Sequence, residues 1–142
     1  MSKKRNGSYA KKVALPPGSL VHLGKTSETA VRLSVITYDR GQFQRITVKN
    51  LAEAQDLVRP ESVAWLDVVG LQDTALLESL GHMYAIHSLT LEDILDTHQR
   101  PKADLYDDYV YFVLKMMRYD SEHKKLDIEQ VSVVLLSGMV IT

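Results

Sequence analysis

The sequence predicts an α/β domain, α+β-like in its order: a mixed parallel and antiparallel sheet with helices on both faces, in a single layered unit. Three observations carry this. Period-two apolar alternation recurs towards both ends of the chain. Two helical patterns follow one another in its middle. Between the first alternating stretches and those helices lies "SVAWLDVVG" (62–70), nearly continuous in apolar and β-branched residues, the composition of a strand covered on both faces. Strand, helix, strand, paired helices and a run of antiparallel strands is not the regular alternation of a doubly wound fold.

"LVHLG" (20–24) reads as a short strand, and "AVRLSVITY" (30–38) alternates Val31, Leu33 and Val35 as a half-buried strand does. "QRITVK" (44–49) is similar. Asn50 followed by Glu53 is an N-cap with a residue able to reach back, so a helix is expected over 51–58, stopped by Pro60. Asp73 caps a second helix with Leu76, Leu77, Leu80 and Tyr84 on one side, weakened late by Gly81. A third helix begins near Ser88, with Leu91, Ile94 and Leu95 on one face and Glu92, Asp93 and Asp96 on the other. "DYVYFVLKMMRY" (108–119) reads as a central strand, "DSEHKK" (120–125) as its hairpin loop and "LDIEQVSVVLL" (126–136) as the returning strand, with Val131, Val133 and Leu135 on one face. Ser137-Gly138 signals a tight turn into a last strand, "MVIT" (139–142).

The chain has 142 residues, enough for one domain with a sizeable core. A net charge of −1 argues against nucleic acid or an anionic membrane as a partner. With no cysteine there is no disulfide framework, thiol catalysis or thiolate zinc site. No apolar run approaches the roughly 20 residues of a membrane-spanning helix. The basic start, "MSKKRNGSYAKKVALPPG", lacks the apolar core of a secretory signal. Residues 1–14 are expected to be a flexible arm and Pro16-Pro17-Gly18 a turn. The apolar, uncapped end at residue 142 suggests a domain cut short.

The chemistry concentrates in "SLTLEDILDTHQRPKA" (88–103). Asp96 lies one helical turn from Glu92 and Asp93, and like charges at that spacing cost about 0.2–0.5 kcal/mol per pair. Two readings stand. The acids are the wet face of an amphipathic helix, or they are part of a site for a hard divalent cation such as magnesium. Magnesium asks for six oxygens and keeps water, so one or two carboxylates need further ligands from a second surface. His82, His87 and His98 have no helical metal-binding spacing and read as polar or capping residues. Asp67 reads as a turn or cap acid, and Trp65, Tyr109, Tyr111 and Phe112 as core. No nucleophile elbow, phosphate-binding loop or dinucleotide fingerprint occurs, so no enzyme is expected.

Taken in order, "LPPGSLVHLGK", "WLDVVGLQD", "YAIHSLTLEDILDTHQRPK", "YVYFVLKMM" and "EQVSVVLL" resemble the N-terminal cytoplasmic domain of CorA-type magnesium and cobalt channels. The blocks run through nearly all of 15–142, and the His-Ser-Leu-Thr-Leu-Glu-Asp-Ile-Leu stretch with its His-Gln-Arg-Pro-Lys tail is the most specific. The resemblance implies a regulatory domain on the cytoplasmic side of the inner membrane, followed by a long helix and two membrane helices in a homopentamer. It implies that Asp93 binds a regulatory Mg2+ (Co2+ being an alternative ion) between subunits, with Glu92 at an adjoining cation position. The partners of both lie beyond Thr142. Mg2+ then holds the closed state, and its loss lets the acids repel. A zinc or cobalt/nickel transporter domain and a soluble α/β ligand-binding domain remain the alternatives.

Overall fold

In the computed structural model, the described residues are 16, 19–21 and 30–142. The expected arm (1–14) and most of the expected strand at 20–24 lie outside them. At Pro16 the expected turn is visible in part: its carbonyl accepts from the Ser19 N–H at 3.2 Å and the Ser19 hydroxyl at 2.6 Å. The chain forms two compact units, Met1–Ser27 with Leu71–His98 and Glu28–Gly70 with Gln99–Thr142.

The larger unit is a seven-stranded sheet of order β2-β1-β3-β7-β6-β5-β4. Its strands are β1 (Arg32–Tyr38), β2 (Phe43–Val48), β3 (Val63–Val69), β4 (Lys102–Leu105), β5 (Tyr109–Asp120), β6 (Lys125–Leu136) and β7 (Met139–Ile141). Among the described residues only β3 and β7 pair in parallel; the other neighbours are antiparallel. The β3–β7 pairing runs on past the strand end, with the Thr142 N–H on the Leu66 carbonyl at 2.9 Å and the Thr142 carbonyl accepting from the Val68 N–H at 2.7 Å. Gly138 turns β6 into β7 with φ of 72°, a conformation that favours glycine, as the Ser-Gly signal predicts.

Helix α1 (Leu51–Leu57) follows β2. Asn50 caps it by accepting the Glu53 N–H at 2.9 Å, and the Glu53 carboxylate reaches back to the Lys49 N–H at 2.9 Å. The first bond matches a donor left orphaned by helix geometry, and the second reaches back as the sequence pattern predicts, one residue past the N-cap to Lys49. Leu51 and Ala54 are its buried residues.

The sheet buries Val35, Leu66, Tyr111, Val134 and Ile141 on one side, a row in which neighbouring strands place paired residues edge to edge. The opposite side is open, which corrects the expectation that β3 is covered on both faces. Trp65 is 41% exposed and Val69 45%, so Trp65 is not a core residue. Tyr109 and Tyr111 are buried as expected, and Phe112 is half-buried. Val131, Val133 and Leu135 do share a face, and it is the open one. β4 is a strand the sequence reading missed. Only four residues long, it sits at the sheet edge and pairs Lys102 with Val113 through Leu105 with Val110.

The smaller unit contains α2 (Thr74–Met83) and α3 (Ser88–Leu95). Asp73 caps α2 by accepting the Leu76 N–H at 2.9 Å. Leu77, Leu80, Leu91, Ile94 and Leu95 are buried, matching the periodicity of the two helices. Between the helices the chain takes a Schellman turn: the Ile86 N–H reaches the Gly81 carbonyl at 2.9 Å while Ala85 adopts φ of 52°.

Candidate functional site: the acidic end of α3

His87 starts α3. Its backbone is extended, and its imidazole Nδ1 accepts the Leu89 N–H at 3.2 Å. The helix then has only eight residues, from Ser88 to Leu95. That brevity decides the electrostatics of the acids. Glu92 and Asp93 sit in its second half and Asp96 is its C-cap, so all three stand towards the negative end of the helix dipole. The first turn holds no acid and the last turn no base. The dipole therefore adds to the mutual repulsion of the acids instead of offsetting it, by about 0.3–1 kcal/mol for a charge in the last turn.

The three acids separate into two environments. Glu92 and Asp93 are half-exposed. Asp96 is only 8% exposed, which corrects the expectation that it shares the solvent face. The cause is the helix end. Asp96 has left helical geometry (φ −93°, ψ 93°), so the periodicity that set Glu92 and Asp93 no longer governs it. Its Oδ1 accepts the His98 N–H at 3.1 Å and lies 3.6 Å from His98 Nδ1. Asp96 thus organises the turn leaving α3, and His98 serves that turn as a donor.

Among the described residues no group of three or more His, Asp and Glu side chains is arranged to hold a metal ion. Glu92 and Asp93 also have interactions within the protein already. Magnesium asks for six oxygens, and no complete cage of that kind is formed by the described residues. The histidines do not converge: His82 is exposed in the last turn of α2, His87 caps α3, and His98 attends Asp96.

Asp67 is neither a turn nor a cap acid. It lies within β3, where its carboxylate accepts from the Ser34 hydroxyl at 3.4 Å and the Thr142 hydroxyl at 3.3 Å, with Arg45 Nη2 at 3.8 Å. This network joins side chains from strands distant in sequence, and only the fold brings them together.

The family model for the CorA-like Mg2+ transporter protein matches residues 60–142, more than half of the chain. The cobalt/magnesium transport protein CorA of Thermotoga maritima is 35% identical over 130 residues, covering 92% of this chain and 37% of that protein. A putative metal ion transporter of Bacillus subtilis, YfjQ, is 34% identical over 103 residues, covering 70% of this chain and 30% of its own length. The chain thus spans 37% and 30% of the length of these two curated relatives.

Solved structures share the fold. The soluble domain of CorA from Methanocaldococcus jannaschii matches with a TM-score of 0.52 at 12% identity, over 83% of this chain and 41% of that one. Full-length CmaX matches with a TM-score of 0.60 at 18% identity, over 82% and 36%. The chain belongs to the CorA-like Mg2+ transporter family.

Proposed function

We propose that this chain is the regulatory, divalent-cation-sensing N-terminal domain of a CorA-like magnesium channel, with residues 15–142 as the α/β domain and 1–14 as an arm. It stands on the cytoplasmic side of the membrane, in a protein that assembles as a homopentamer, and it performs no catalysis. Asp93, with Glu92 beside it, supplies carboxylates to a Mg2+ ion whose remaining ligands come from outside the described residues, in the longer protein or a neighbouring subunit. Co2+ is the second ion this oxygen site admits.

The observation that carries the reading is the placement of two half-exposed carboxylates towards the negative end of a short helix. The negative end of the dipole opposes both charges, a standing repulsion. Relief of that repulsion by a cation is what couples ion concentration to subunit arrangement, through a difference in affinity between two states.

Calorimetry on the 142-residue chain tests the shared shell. Mg2+ binding is expected at about millimolar strength or below detection, the range of weak oxygen sites. Micromolar affinity would mean that this chain completes the shell alone. In the longer protein, Asp93→Asn is expected to weaken Mg2+-dependent protection from protease. Unchanged protection removes Asp93 from the sensor.

A further inference from the structure

Asp96 stands one residue past α3 and fastens the chain in two directions. Its backbone N–H donates to the Asp93 carbonyl at 3.2 Å, closing the last turn of the helix. Its carboxylate, on a residue only 8% exposed, accepts the His98 N–H at 3.1 Å. One residue thus ties Asp93 on one side to the chain leaving the helix on the other.

This fastening acts on a part of the helix that needs it. The last four carbonyls of a helix lack partners within it, and helix ends fray. α3 has eight residues, so Asp93 belongs to that last stretch, and Asp96 gives its carbonyl a partner. The stop itself, "LDTH" (95–98), contains neither glycine nor proline. The bond from His98 to the Asp96 carboxylate is what holds Asp96 in its extended backbone, with φ of −93° and ψ of 93°. Leu95 and Ile94 anchor the inner side of the same turn, at 0% and 8% exposure. The directions open to a side chain follow from its own backbone angles, so a turn fixed at both ends fixes where the Asp93 carboxylate can point.

We propose that Asp96 is the positioning residue of the cation site: it gives no oxygen to the ion, and it holds the backbone from which Asp93 projects. This rests on the assignment of Asp93 to a cation under the function proposed above. Groups that orient a metal ligand without touching the metal are worth about 10–100-fold in affinity. The position calls for an acceptor and not for a charge, because an asparagine carbonyl can take the same N–H. Asparagine therefore replaces Asp96 with little loss, whereas alanine does not.

Two measurements test this. In the 142-residue chain, Asp96→Ala is expected to speed amide exchange at positions 96 and 98 about tenfold or more relative to intrinsic rates, and Asp96→Asn to leave it near the parent value. In the longer protein, the Mg2+ concentration giving half-protection from protease is expected to rise about tenfold or more in Asp96→Ala, with full protection still reached at saturating Mg2+. Asp96→Asn returns it close to the parent value. A role in the fold alone lowers the protection reached at saturation and leaves the midpoint in place, which overturns the proposal. Circular dichroism shows that each variant is folded. Asp96→Ser, whose hydroxyl accepts more weakly, replaces the alanine variant if that does not fold, with the same direction expected. Unchanged exchange in the alanine or serine variant overturns the proposal. Asp96→Asn as damaging as alanine overturns it as well, since the charge of Asp96 is then what matters and Asp96 is itself a ligand. Failure of the functional reading is seen on a different variant: Asp93→Asn with unchanged protection removes the cation site, and the positioning role with it.

Discussion

Gly81 on α2 faces Leu91 on α3 so closely that a β-carbon at Gly81 would collide with Leu91 Cδ1 and lie 3.3 Å from its Cγ. The glycine that looks in the sequence like a weak point of α2 is the place where the two helices touch. Leu91 is 5% exposed and has little freedom to retreat. Gly81→Ala gains about 1 kcal/mol of helix propensity and loses about 1–3 kcal/mol to overpacking, for a net loss of about 1 kcal/mol. Urea denaturation measures it. Combined with Leu91→Ala, which makes room, the substitution is expected to become neutral or favourable, a coupling between neighbours that a double-mutant cycle isolates. Gly81→Ala raising stability in the parent chain would contradict the close approach.

Ala85 carries the left-handed turn between the same helices, at φ of 52°. A β-carbon there costs about 1–2 kcal/mol against glycine, part of which glycine returns through the greater freedom of the unfolded chain. Ala85→Gly is therefore expected to stabilise by about 0.5–1 kcal/mol, seen as a higher urea midpoint with an unchanged slope. An unchanged or lower midpoint would mean that the Schellman turn is not the ground state.

Much of this was legible because the signals are local. Asn50 with Glu53, and Asp73 ahead of Leu76, announce helix starts through bonds made within four residues. Glu92 and Asp93 were legible as outward positions because the apolar Leu91, Ile94 and Leu95 take the inner face of the helix. Asp96 was not, since its burial depends on where α3 stops, and the sequence places no glycine or proline at that point. Trp65 shows a different limit. The composition of β3 correctly describes a strand apolar on both sides, but composition cannot say what covers each side. β4 escaped because four residues of alternation beside a charged tail resemble a loop, and the strand exists only through its pairing with β5. The Asp67 network was out of reach for the same reason, as its members meet only through the sheet.

Acid is expected to loosen the loop ends of the hairpins before the sheet centre. The Asp120 carboxyl is held below its ordinary value by the backbone N–H of His123 and by the His123 ring, with the Glu122 N–H adding to them. Asp127 is lowered by the Lys125 ammonium and then by Arg118. Asp39, between β1 and β2, is lowered by the N–H groups of Gly41 and Gln42. Each group binds its proton less readily folded than unfolded, so near its titration the unfolded chain holds more protons and stability rises with pH. The contribution is complete above the unfolded value of about 4 and is lost as pH falls through the lower folded values. Amide exchange at Glu122, His123, Gly41 and Gln42 is expected to accelerate, relative to its intrinsic rate, as pH falls below about 4, while Tyr111 and Val113 stay protected. Asp120→Asn should remove the pH response at Glu122 and His123 alone. Uniform loss of protection across the sheet would show global unfolding instead.

The acids of α3 are expected to respond to neutralisation in opposite directions. Asp93 is half-exposed in the second half of the helix, where the dipole opposes its charge. Asp93→Asn in metal-free buffer should leave stability unchanged or raise it by up to about 1 kcal/mol. Asp96 is nearly buried and its carboxylate accepts the His98 N–H, so Asp96→Ala removes a hydrogen bond to a charged group and should cost about 1.5–3 kcal/mol. The contrast separates the two roles: a residue whose charge is retained at a cost to stability is kept for what it binds, whereas one whose removal unfolds the turn is kept for the fold. Thermal unfolding of both variants, in chelator and in millimolar Mg2+, reads the difference. Asp93→Asn destabilising the metal-free chain as strongly as Asp96→Ala would make Asp93 a structural residue and take away the electrostatic reason for assigning it to a cation.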